Sequence, residues 1–85
     1  MKIGGYYRFV SRGEYPQIEC YDNCVVKVDE CDAEKEDKYT CRIVSMIEGC
    51  YNNTWFVSEK FAIENFTFLS EEEVLMARLS GEIGE

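Results

Sequence analysis

CVVKVDECDAEKEDKYTCRIVSM, residues 24–46, contains two runs that alternate apolar and polar residues, joined by a polar and strongly acidic connection. In the first run Cys24, Val26 and Val28 fall on one side and Lys27 and Asp29 on the other, as a half-buried β-strand requires. In the second, Tyr39, Cys41 and Ile43 oppose Thr40 and Arg42, and the pattern slips over Val44–Met46, where a bulge or burial of both faces is expected. The stretch therefore reads as a β-hairpin whose link, Asp29 to Lys38, is exposed, and whose cysteines serve as small apolar side chains.

The same reading extends in both directions. Tyr6–Ser11 is a β-rich run closed by the turn signal Arg12-Gly13. Glu14 to Asn23, with Pro16 and an Asp-Asn pair, reads as a long loop. Glu48-Gly49 and Asn52-Asn53 are turn chemistry ahead of a fourth strand, Thr54–Ser58. Glu59–Ala62 suits one helical turn, and Ile63–Leu69 a fifth, phenylalanine-rich strand. Ser70-Glu71-Glu72-Glu73 is a capping box with three acids at the positive end of the helix dipole. It opens a helix over about 70–80 that is expected to dock through Leu75, Met76 and Leu79 and to stop at Gly81. Phe9, Trp55, Phe61, Phe66 and Phe68 are the expected aromatic core.

Eighty-five residues make one domain, and 46% apolar with 14% aromatic residues is enough for a packed core. No apolar run has the length of a signal-peptide core or a membrane span, so a cytoplasmic location is expected. Seventeen acids against nine bases give a net charge of −8, which repels phosphate backbones and anionic membranes. Direct nucleic-acid or membrane binding is therefore not expected, whereas a basic protein partner fits.

Five cysteines, an odd number, in a reducing compartment argue for free thiols. With no histidine, a zinc site would have to be all-cysteine. Cys20-x3-Cys24 has tolerable spacing, but there is no CxxC knuckle and no second close pair. A zinc-stabilised module stays the third-ranked alternative, and no cofactor or metal is expected. Without histidine no Ser–His or Cys–His relay can form, and no glycine-rich phosphate loop is present, so the chain is read as non-catalytic.

Five short strands, a long first loop, polar hairpins and the segment TWFVSEKFAIENF leading through a turn into the last strand resemble a small SH3-like barrel over about residues 5–69. Trp55-Phe56-Val57-Ser58-Glu59 is similar to the strand end common in such barrels. The A-L-Y-D-Y segment of the peptide-binding SH3 domains is missing, so their proline-rich ligands are not implied. The expected fold is mainly β, a five-stranded SH3-like barrel at 5–69, a helix at about 70–80 and a flexible tail at 81–85. An OB-like barrel or a curved sheet packed by the helix is the main alternative. By analogy with barrels of this size, the chain is expected to be an adaptor or inhibitor. Its partner-binding candidates are Asp29, Glu30, Asp32, Glu34, Glu36 and Asp37 of the acidic hairpin, with the loop tyrosines Tyr15, Tyr21 and Tyr51. The competing expectation is a phage-type nucleic-acid mimic whose carboxylates at 29–37 and Glu71–Glu73 stand in for phosphates.

Overall fold

The computed structural model describes residues 1–10, 22–32, 34 and 38–84. Its five strands are β1 (Tyr6–Phe9), β2 (Val25–Cys31), β3 (Lys38–Ile43), β4 (Thr54–Ser58) and β5 (Phe66–Phe68). Helix α1 (Glu59–Asn65) sits between β4 and β5, and α2 (Glu71–Leu79) follows β5. The strands form one antiparallel sheet in the order β4-β3-β2-β1-β5. The mainly β class, the five strands and the C-terminal helix are thus as the alternation and the capping box indicate. The part of the expected first loop that spans 14–21 lies outside the described residues.

The barrel expectation needs a correction. The sheet is not closed: β4 and β5 are its two edges, and they do not pair. It nevertheless curls, because Trp55 on β4 and Phe66 on β5 stand 5.4 Å apart between ring centroids. Ser58 ends β4 and caps α1, its hydroxyl accepting from the Phe61 amide, so the expected single turn grows into a seven-residue helix that takes up Ile63–Asn65 and shortens β5. Phe61 on that helix inserts between the edges, with Phe9 at 6.0 Å and Phe66 at 6.0 Å. Ring packing fills the gap that strand pairing would have closed.

Two apolar layers result. The inner one gathers Phe9, Cys24, Val26, Val28, Cys41, Ile43, Val57 and Ala62, with Trp55, Phe61 and Phe66 packed against it. Cys24 and Cys41 are completely buried there, as the alternation implied. Phe68 departs from the expected aromatic core: it is exposed, its ring meeting that of Tyr7 edge-on at 5.3 Å. The outer layer, on the opposite face of the sheet, joins Val25, Val44, Leu69, Val74, Ala77 and Ile83, with Tyr6 alongside. Val44 and Ser45 are both buried, which is the two-sided burial expected where the alternation slips.

Helix α2 begins as its sequence directs. The Ser70 hydroxyl accepts from the Glu73 amide at 3.2 Å, and the Glu73 carboxylate accepts from the Ser70 amide at 3.0 Å. It ends in a Schellman turn: the Glu82 amide donates to the Ala77 carbonyl and the Gly81 amide to that of Arg78, with Gly81 at φ +79°. Its buried side, however, is not the expected one. Val74 and Ala77 face the sheet, whereas Leu75, Met76 and Leu79 are 51, 61 and 73% exposed. Small side chains let the helix lie close over Tyr6 and Val25, and the segment after Gly81 sets that rotation. Residues 82–84, expected to form a tail, run along Val44–Met46: the Met46 amide donates to the Glu82 carbonyl, the Gly84 amide to that of Val44, and Ile83 bridges Ser45. Glu82 also meets Arg8 at 2.7 Å. No helix among the described residues is long and apolar enough to cross a membrane.

Candidate protein-interaction surface

The β2–β3 hairpin carries the acids singled out by the sequence, and a bulge decides where they point. Val28 pairs with Cys41 and Glu30 with Thr40, leaving Asp29 as the extra residue. Strict alternation would turn Glu30 inward beside Val26 and Val28. The bulge instead puts Asp29 and Glu30 together on the outer face and returns Cys31 to the inner one, opposite Tyr39. Asp29 reaches Arg42 at 3.7 Å. Beyond the strand, the Asp32 amide donates to the Lys38 carbonyl, and the Asp32 carboxylate accepts from the Glu34 amide at 2.9 Å, an Asx turn that leaves Glu34 exposed.

Four of the nine sequence-selected residues, Asp29, Glu30, Asp32 and Glu34, are therefore on this hairpin and exposed. Glu36, Asp37, Tyr15 and Tyr21 lie outside the described residues. Tyr51 is exposed, but it sits on the turn beyond the other end of β3, its hydroxyl donating to the Gly84 carbonyl at 3.4 Å. The length of β3, about 20 Å, separates it from Asp32 and Glu34, whereas Asp29 approaches its turn through Arg42, which reaches Asn52 at 3.3 Å.

A residue missing from the sequence-based set completes the surface. Phe56 is 75% exposed on the edge strand β4, paired with Thr40, which pairs in turn with Glu30. Glu30, Thr40 and Phe56 thus form one cross-strand row on the outer face. With Asp32 and Lys38 they line an open concavity of about 520 Å³. The signal for Phe56 was present in Thr54–Ser58: once Trp55 and Val57 face inward, period-2 alternation sends Phe56 outward.

The loop end of the hairpin is anchored from its inner face. Tyr39 donates its phenol to the Glu59 carboxylate, which also lies 3.3 Å from the Met1 amino group. The hydrogen bond to Glu59, helped by burial, raises the Tyr39 hydroxyl to about 12, and the same bond holds the Glu59 carboxyl below its ordinary value. On the outer face, nearer the open end of the hairpin, Lys27 and Arg78 both lie over the Tyr6 ring, at 5.7 and 5.5 Å from its centroid.

Burial pushes the Cys24 thiol up to about 12 and the Cys41 thiol to about 11, so both are protonated near neutrality and poor nucleophiles. Among the described residues no three Cys, Asp or Glu side chains come together as metal ligands. What the arrangement offers is contact: an apolar ring and an exposed edge strand, bordered by carboxylates. Comparison with protein families, with curated proteins and with solved structures finds no match to this chain.

Proposed function

We propose that the chain is a non-catalytic protein-interaction module of SH3-like type, an adaptor or inhibitor acting in the cytoplasm, that takes a basic segment of a partner protein on the acidic hairpin. One observation carries this reading: Phe56, the most exposed large apolar side chain among the described residues, stands in register with Glu30 and beside Asp32. An aromatic centre with a charged rim is how protein contact surfaces are commonly built. The outer edge of β4 adds backbone groups of the kind an extended peptide pairs with. Nucleic-acid mimicry is the weaker reading, because mimicry asks for an unbroken array of carboxylates. Here Lys27 and Arg78, gathered on Tyr6, interpose cations where α2 meets the hairpin.

The test is selection of a random displayed-peptide library on the immobilised protein. Enrichment of peptides combining Lys or Arg with an apolar residue is expected, with binding lost in Phe56→Ser and in the double variant Glu30→Lys/Asp32→Lys. Peptides that bind these variants as well as the wild type would remove the hairpin from the proposal.

A further inference from the structure

We propose that the outward side of α2 is a second docking surface, one that receives a basic amphipathic helix from a partner protein. A nine-residue helix that buries Val74 and Ala77 while displaying Leu75, Met76 and Leu79 reverses the usual allocation of large apolar side chains. The three form one strip: Leu79 is one helical turn from both Leu75, four positions before it, and Met76, three before it.

The border of the strip selects its occupant. One turn before Leu75 and Met76 stand Glu71, Glu72 and Glu73, all exposed. The helix's one cation, Arg78, is drawn away towards the sheet, donating to the Tyr6 hydroxyl at 3.1 Å with its guanidinium over the ring. Arg8, which shares the hollow beside Met76 with Glu72 and Glu73, is engaged by Glu82 at 2.7 Å. The strip therefore offers apolar contact with a negative border, complementary to an apolar helix face flanked by Lys or Arg. A second copy of this chain would bring another net charge of −8 and a second set of first-turn carboxylates to the same contact. Charge thus disfavours self-association, as it disfavours anionic lipid. The strip is carried by α2 and not by the β2–β3 hairpin, and it does not depend on the function proposed for the hairpin; with both occupied, the chain would connect two partners.

The probe is a fluorescently labelled synthetic five-turn helix with one leucine face and one lysine face, and a counterpart carrying glutamate in place of lysine. Binding to the full chain is followed by fluorescence anisotropy at low and at near-physiological salt. Saturable binding of the lysine peptide but not of the glutamate one is expected. Leu75→Ser/Leu79→Ser should weaken it at least tenfold, and Glu30→Lys/Asp32→Lys should leave it within about twofold. Circular dichroism checks that each variant is folded, which the exposure of Leu75 and Leu79 favours. Equal binding to wild type and Leu75→Ser/Leu79→Ser would mean attraction by charge alone and would overturn the proposal. So would an absence of saturable binding, or sedimentation showing a wild-type dimer that this double variant abolishes, because the occupant would then be a second copy.

Discussion

Phe9 is completely buried, and its ring is met by Trp55 at 5.0 Å, Phe66 at 5.4 Å and Phe61 at 6.0 Å. If these rings hold the two sheet edges together, truncating Phe9→Ala removes the common member of the cluster. Loss of a buried phenylalanine costs about 3–5 kcal/mol through lost burial and the cavity left behind. For a domain of this size the total stability is about 4–13 kcal/mol. The variant should therefore lose about a quarter or more of its stability, with a thermal midpoint roughly 12–40 °C lower. The single tryptophan makes the assay direct, since Trp55 fluorescence during urea unfolding reports the cluster itself. Phe56→Ala, removing a similar ring from an exposed site, serves as the control and should change stability by no more than about 0.5 kcal/mol. A Phe9→Ala loss below about 1.5 kcal/mol, or a Phe56→Ala loss as large as that of Phe9→Ala, would show that these rings do not close the fold.

Two further outcomes follow from titratable groups. The carboxyl of Glu59 is lowered in the folded state, so its contribution to stability is present above the unfolded value and disappears as pH falls through the folded one. Tyr39, raised to about 12, contributes fully below its ordinary 10 and loses that contribution as pH rises through about 12. Urea midpoints of wild type and Glu59→Gln should differ at neutral pH and converge in acid; a constant difference would dissociate Glu59 from the acid limb. In the thiol series, a maleimide reagent should label partly exposed Cys31 and Cys50 well before buried Cys24 and Cys41, as read by peptide mass spectrometry. Early labelling of Cys24 would contradict its place in the inner layer.

The sequence made the strands legible because one face of each had to be apolar, and Ser70 and Glu73 marked the start of α2 by hydrogen bonds that are local. Closure was not legible. Whether Trp55 and Phe66 meet through strand pairing or through rings depends on how α1 spans the two edges, which alternation does not encode. Nor was the rotation of α2: Val74/Ala77 and Leu75/Leu79 are both plausible stripes, and the choice follows from the return of Ile83 to Ser45. For the candidate surface, the acids were visible as a charged run, but their orientation rests on a one-residue bulge at Asp29. Phe56 was hidden among neighbours that do belong inside.

The return of residues 82–84 to the sheet also orders events in time. The β2–β3–β4 meander is built from neighbouring segments, whereas the outer layer needs partners such as Arg8 and Glu82, 74 positions apart. Closing so long a loop is slow and entropically costly, so the meander should assemble in the folding nucleus and α2 should settle after the rate-limiting barrier. Weakening the clasp, for instance by Ile83→Ala, would then accelerate unfolding and leave the refolding rate almost unchanged. A chevron plot in which the refolding arm slowed instead would place α2 inside the nucleus.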